Sequence, residues 1–241
     1  MTTIRTTLAD GDSFYRGEYD DFTHSLYTAT DPATASAFVY FDYILNAADQ
    51  ELMVAQALSM LERGYYTLNG AGFPLEMFES QRLMVLSMVQ AIAYPSDTDT
   101  LTHEGLMRYM NDEPSSNAMV QFLRLLTSAT MRVSPDEYVA YLYDSDGDAS
   151  MSVDDFCANN VETMGREADQ VQMAALSHAL QVNFAVAYLD HTGDPEQGAF
   201  VKIEHGDPKS EPIRLLYRPG HYDIIFAAAQ GPAGIGLHTI D

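Results

Sequence analysis

Two short stretches, one near each end of the chain, carry residue types that could do nucleophilic or acid–base chemistry. Near the C-terminus stands His221-Tyr222-Asp223. On a strand, residues two apart project to the same face, so His221 and Asp223 would stand side by side with Tyr222 turned away. A carboxylate beside an imidazole fixes its tautomer and orientation and stabilises its charged form, which is how a general base is held. Taken alone, such a triplet is more often a surface histidine beside a chance acid. Near the N-terminus stands Asp10-Gly11-Asp12-Ser13-Phe14-Tyr15-Arg16. A tight turn at the glycine gathers backbone N–H groups, and a helix starting near Ser13 would aim its positive end at that residue. A nucleophile there gains a lowered pKa, and a developing oxyanion meets backbone donors. On local sequence alone, an ordinary helix N-cap is the stronger reading of Ser13.

The elements that must position these residues are legible in outline. Residues 1–9 are rich in β-branched types and read as extended up to the Asp10-Gly11 turn. Residues 36–63 read as one long apolar helix, with Gly64 as its stop and Leu52, Ala55, Leu58 and Leu61 as its buried face. Asn69 to Gly72 is a loop. Glu76 to Ile92 is a second helix ended by Tyr94-Pro95, and residues 96–102 are polar and expected to be exposed. Ser116 to Met131 is a third helix, with Met119, Phe122, Leu123 and Leu126 at core spacing, and Pro135 opens another. Asp169 to Leu180 is helical. Strands are then expected at Val182–Leu189, Phe200–Ile203, Ile213–Tyr217 and His221–Phe226, with a break at Arg218-Pro219-Gly220. Helices in the middle and strands at the end make a mixed α/β (α+β) domain, a small mixed sheet flanked by helices. One domain is expected over 1–228, with 229–241 as a loose glycine-rich tail.

Composition narrows the function classes. The 241 residues are 46% hydrophobic, enough for one substantial core. No run of eighteen apolar residues exists, so no membrane partner is expected. The first residues lack the apolar core of a signal peptide, and the single cysteine, Cys157, excludes an internal disulfide framework. A cytoplasmic or nuclear location is expected on those grounds. The net charge of −23 repels phosphate backbones, so nucleic acid is not expected as a partner; a basic protein surface or cations would suit it better.

The two end stretches gain weight together. D-G-x-nucleophile-F-Y-R at one end and Leu215-Leu216-Tyr217-Arg218-Pro219-Gly220-His221-Tyr222-Asp223 at the other resemble the otubain branch of the OTU-type cysteine deubiquitinases. Leu123-Arg124-Leu125-Leu126-Thr127-Ser128 looks like an internal helix of that family. Phe156-Cys157 with Val161-Glu162 and Met164 is similar to its next segment. Ala175 to Leu180, and the strand after it, also follow the family pattern. The likeness runs in order over most of residues 4–226 and is strongest at Leu123–Ser128 and Leu215–Ile224. It implies a papain-like OTU fold and thiol-dependent hydrolysis of isopeptide bonds in ubiquitin chains, without metal or cofactor. Asp10 would correspond to the aspartate beside the oxyanion hole, Ser13 to the nucleophilic cysteine, His221 to the general base and Asp223 to the residue that orients it. The implied partners are ubiquitin and polyubiquitin chains, with ubiquitin-conjugating enzymes as a further class.

Position 13 departs from that pattern where it matters most. A cysteine beside a histidine can be thiolate near neutral pH, and thiolate is the attacking species. A serine hydroxyl is far harder to deprotonate, so a site shaped for sulfur is expected to be inactive or strongly impaired while keeping its shape. Asp12 stands where the family has asparagine and adds a negative charge beside the nucleophile position. Gly17 replaces a helix-favouring residue, and Asp20 and Asp21 make the following turn more acidic. These features fit a pseudoenzyme. They equally fit an active parent into which Ser13 was introduced, and the sequence leaves both open. Otubains usually carry an arm before this region. Nine residues precede Asp10 here, and the sequence leaves open whether the arm's contributions to proximal-ubiquitin binding and to inhibition of conjugating enzymes apply.

A rival constellation lies at Asp144 to Asp155, where oxygen-bearing residues occupy positions 1, 3, 5, 7, 9 and 12 of a calcium-loop spacing. Position 6 is Ala149 rather than the glycine of the sharp turn, and position 12 is the shorter Asp155 rather than glutamate. A solvated acidic loop is the expectation, with a calcium-responsive interaction protein as the alternative. Cys157 reads as a buried apolar residue. His24, His103, His178, His191, His205 and His238 show no metal spacing, and His178 reads as structural.

Overall fold

The computed structural model describes residues 2–5, 35–95, 100–142, 151–188, 200–218 and 221–227. A helical half comes first. Helix α1 (Ala35–Asn46) is followed after a short turn by α2 (Gln50–Gly70), whose N-cap Asp49 accepts a hydrogen bond from the Leu52 amide at 3.1 Å. A 3₁₀ turn at Leu75–Met77 leads into α3 (Glu79–Ala93). Helix α4 (His103–Asn111) is capped by Thr102, and α5 (Glu113–Val133) by Asp112 with Pro114 in its first turn. The short α6 (Pro135–Tyr138) and α7 (Val153–Phe156) precede a π-helical turn at Cys157–Val161. Helix α8 (Gln170–Leu180) opens on a complete capping box between Asp169 and Gln172 and ends at Gln181 in the left-handed region, φ 56°.

Strands β1 (Thr2–Arg5), β2 (Asn183–Tyr188), β3 (Phe200–Glu204), β4 (Ile213–Arg218) and β5 (His221–Ala227) form one sheet in the order β1-β5-β4-β2-β3. Only β2 and β4 run parallel; the other pairs are antiparallel. Asn183, Phe184, Ala185 and Val186 are consecutive buried residues, as in a central strand covered on both faces. Helix α1 packs on β4 and β5, and α8 on β2 and β3. Helix α5 touches α2, α3, α4 and α8 and buries nearly its whole length, so it is the axis of the core. The expected mixed α/β class, with a small sheet flanked by helices, is the observed one.

Four expectations for the helical half need correction. Residues 36–63 are two helices, broken where Asp49 caps α2. Gly64 does not stop α2; it lies inside it, buried, where the helix passes close to α5. The buried face of α2 is Val54, Ala57, Met60, Leu61, Gly64 and Leu68, whereas Leu52 is 52% exposed. A strict three-residue repeat drifts around a helix of 3.6 residues per turn, so the Leu52-Ala55-Leu58-Leu61 series could not remain on one face. Within the polar stretch 96–102, Leu101 is buried, its amide donating to the Ala91 carbonyl at 3.2 Å. Helix α4 was not anticipated, because its apolar residues Leu106, Met107 and Met110 stand among His103, Glu104, Arg108 and Asn111.

Candidate active site

Strand β5 carries the C-terminal pair. His221 lies opposite Arg218 and Asp223 opposite Leu216 on β4, while Tyr222 lies opposite Tyr217. Tyr222 and Ile224 are buried, which puts positions 221 and 223 together on the other face of the strand. The expected juxtaposition of positions 221 and 223 on a strand is thus present in the backbone. Asp10 and Ser13 lie outside the described residues, as does the expected helix start at Ser13.

Tyr222 is held on both sides of its ring system. Its hydroxyl donates to the Ala168 carbonyl at 2.9 Å, and burial drives its pKa far up. Its ring lies 4.9 Å from that of Tyr217, which lies 5.1 Å from Tyr188 on β2. These three tyrosines face one another across three neighbouring strands. Helix α5 presents Arg124, Ser128 and Arg132 at a four-residue interval. Arg124, fully buried, donates to the Val161 carbonyl at 2.9 Å and to the Arg166 carbonyl. Ser128 donates to Glu162 Oε1 at 2.6 Å. Arg132 pairs with Glu162 at 2.8 Å and with Asp154, its guanidinium lying 5.8 Å above the Phe73 ring. Sequence reasoning did not assign partners to this stripe. Its signal was the four-residue spacing of Arg124, Ser128 and Arg132, on a helix that also carries Thr127 and Thr130.

His24, His191 and His238 lie outside the described residues; the other described candidates fall into structural roles. Cys157 is buried in the π turn, and its thiol faces the Ser128 carbonyl at 3.8 Å; burial pushes its pKa up to about 11. That is the opposite of an activated nucleophile. Of the calcium-loop pattern, residues 144–150 lie outside the described residues. At its end, Ser152 caps α7 through the Asp155 amide at 3.1 Å, and Asp154 is engaged by Arg132. His103 on α4 contacts Asp42 of α1 at 2.9 Å. His178 stacks on His205 at 5.5 Å, with Glu137 at 3.9 Å from His178. Burial, then the neighbouring His178, hold the His205 pKa below its usual value against the pull of Glu137.

The Peptidase C65 Otubain family model matches residues 34–227. This chain belongs to the otubain family. It is 32% identical to the Mus musculus protein called Ubiquitin thioesterase OTUB2, over 95% of this chain and 82% of that one. Identity to an Arabidopsis thaliana protein, OVARIAN TUMOR DOMAIN-containing deubiquitinating enzyme 1, is 29% over 92% of this chain and 69% of the other. Among solved structures, the h/ceOTUB1–ubiquitin aldehyde–UBCH5B~Ub complex superposes with a TM-score of 0.68 at 25% identity, covering 90% of this chain and 73% of that one. A ceOTUB1–ubiquitin aldehyde–UBC13~Ub complex gives 0.63 at 26% identity, covering 81% and 77%. The otubain resemblance read from the two end stretches and the α5 segment is therefore correct, and the fold is that of OTU domains. The family match begins at residue 34, beyond position 13. No described helix is long and apolar enough to cross a membrane.

Proposed function

We propose that this otubain is a ubiquitin-binding domain whose hydrolytic step is strongly impaired by Ser13. His221 is its general base, Asp223 orients that base, and Asp10 stands beside the oxyanion position. One observation carries the reading. Strand β1 pairs antiparallel with β5, Thr2 opposite Ala227 and Arg5 opposite Ile224. Each step along β1 moves toward His221, so the chain leaves β1 at the His221 end of β5. Asp10 and Ser13 follow Arg5 within eight residues, a length that at about 3.3–3.6 Å per residue reaches that end readily.

The chemistry follows from the residue types. His221 can take a proton from a thiol at little cost but not from an alcohol in a site shaped for sulfur. Without the thiol, binding and oxyanion stabilisation remain, and the deficit is on the order of several powers of ten. Ubiquitin and its chains are the partners of this reading. The otubain complexes with ubiquitin aldehyde and ubiquitin-loaded conjugating enzymes support it, and extend it to those enzymes. A cytoplasmic or nuclear location accords with a single buried thiol.

The test compares the parent, Ser13→Cys and Ser13→Cys/His221→Ala for chain cleavage and ubiquitin affinity. The parent binds and does not cleave, Ser13→Cys cleaves, and the double variant binds without cleaving. Rapid cleavage by the parent, or loss of ubiquitin binding in all three, overturns the reading.

A further inference from the structure

The segment 161–168 is clasped from two sides by residues of the two stretches where the otubain likeness is strongest. From α5, the buried Arg124 guanidinium donates to the carbonyls of Val161 and Arg166. From β5, the Tyr222 hydroxyl donates to the carbonyl of Ala168. Three main-chain acceptors within eight residues are thus taken by two side chains that are 98 positions apart in the sequence. Buried carbonyls need donors, and the stretch between the π turn ending at Val161 and the start of α8, which has no helix or strand of its own, must find them elsewhere. The segment is in turn continuous with the capping box that starts α8.

Its consequence falls on β5. On the β1 side, the described residues pair with Ile224 to Ala227. On the other side, β4 pairs with His221 to Ile224. The His221–Asp223 end of the strand is held against β4 and by the buried side chain between the pair, Tyr222. We infer that Arg124 and Tyr222 are positioning residues that fix the His221–Asp223 pair through the segment 161–168. Neither touches a reacting atom. Arg124 makes the segment rigid, the segment holds the Tyr222 hydroxyl, and Tyr222 fixes the pitch and height of the strand that carries its two neighbours. A misplacement of about an ångström at a general base can cost on the order of a hundredfold in rate, so such a strut matters to catalysis more than its one hydrogen bond suggests. The catalytic part of this inference rests on the proposed roles of His221 and Asp223; the mechanical part does not.

Two measurements separate those parts. Hydrogen exchange is followed by mass spectrometry on the whole chain as it stands, with Tyr222→Phe and Arg124→Lys. Peptides covering 221–224 and 161–168 exchange roughly tenfold faster in both variants, while β2 and α2 exchange as in the parent. The second measurement is turnover of a ubiquitin-derived fluorogenic ester in the Ser13→Cys background. There Tyr222→Phe lowers kcat about tenfold and leaves KM within about twofold, as loss of positioning without loss of ubiquitin contacts requires. Uniformly faster exchange across the chain, or exchange at 221–224 unchanged in Arg124→Lys, overturns the strut. Should Arg124→Lys fail to fold, Tyr222→Phe decides alone, through exchange at 161–168: unchanged exchange there overturns it. A Ser13→Cys protein with no turnover speaks against the proposed site, while exchange still decides the strut.

Discussion

Gly64 of α2 lies directly beneath Leu126 of α5: a Cβ at position 64 would stand 3.2 Å from Leu126 Cδ1. Leu126 is 1% exposed and surrounded by core, so its side chain has little room to yield. Alanine would gain up to about 1 kcal/mol of helix propensity. Crowding in a packed core costs about 1–3 kcal/mol. The crowding wins, and Gly64→Ala is expected to destabilise by about 1 kcal/mol, with Gly64→Val worse. Urea unfolding of the two variants against the parent measures this; a more stable Gly64→Ala would show that α2 and α5 can separate freely.

Gly206, after β3, meets a harder obstacle. A Cβ there would stand 2.7 Å from the Gln181 carbonyl oxygen and 2.9 Å from Val182 Cα, both main chain. The turn between α8 and β2 cannot swing aside as a leucine methyl can. It is also tied to the same loop through Asn183, which accepts from the Gly206 amide and donates to the Asp207 carbonyl, each at 2.8 Å. Gly206→Ala is expected to cost about 3 kcal/mol, the upper end of overpacking, and so lower Tm by roughly 6–12 °C. A calorimetric shift below 2 °C would contradict it.

Alkaline pH should loosen the second small core cluster, which contains Tyr138 and Cys157. Burial raises the Cys157 pKa from 9.0 to about 11 and the Tyr138 pKa from 10.0 to about 12. Both groups stay protonated in the fold after the unfolded chain has lost its protons. Stability is therefore intact below about pH 9 and falls as the pH rises from 9 to 12. The Tyr138 hydroxyl is buried with no hydrogen-bond partner among the described residues. Tyr138→Phe removes that group, so it is expected to stabilise by about 1 kcal/mol at pH 7 and to flatten the decline above pH 10. Chemical unfolding at pH 7, 9 and 10.5 tests both halves; a destabilised Tyr138→Phe would mean that the hydroxyl is satisfied.

What the sequence disclosed and what it withheld divide along physical lines. Strands β2, β4 and β5 were legible as short apolar, β-branched or aromatic runs, and helices α5 and α8 because burial imposes its period on α5 and Asp169 marks the start of α8. The order of the sheet was not, because which strands become neighbours depends on contacts across the whole chain. The same holds for Gly64, whose local reading as a helix stop was overridden by the approach of α5. Of the candidate site, the strand placement of His221 and Asp223 was readable from alternation. The clasp of Arg124 and Tyr222 on 161–168 was not, since a buried arginine has no local signature beyond its apolar neighbours.

The last prediction concerns Asp12, whose carboxylate adjoins position 13 in the chain. If the nucleophile position is restored by Ser13→Cys, the thiolate has a neighbouring negative charge to contend with, and a like charge disfavours ionisation. Asp12→Asn removes it. A shift of about one pKa unit in the thiol is the scale expected of a close charge, and at a pH below that pKa it multiplies the thiolate fraction roughly tenfold. Intrinsic nucleophilicity falls as the pKa falls, which takes back part of the gain, so the net rise at pH 7 is about threefold. The thiol pKa at position 13 can be read from the pH dependence of iodoacetamide labelling, because Cys157 is buried with its pKa raised and reacts far more slowly. Ser13→Cys/Asp12→Asn is therefore expected to label and to cleave ubiquitin chains faster than Ser13→Cys at pH 7, with the two converging above pH 9. A lower labelling pKa without faster cleavage would put Asp12 outside the reacting geometry. Equal labelling profiles would show that its charge is screened by solvent, and the loss at position 13 would then lie in the serine alone.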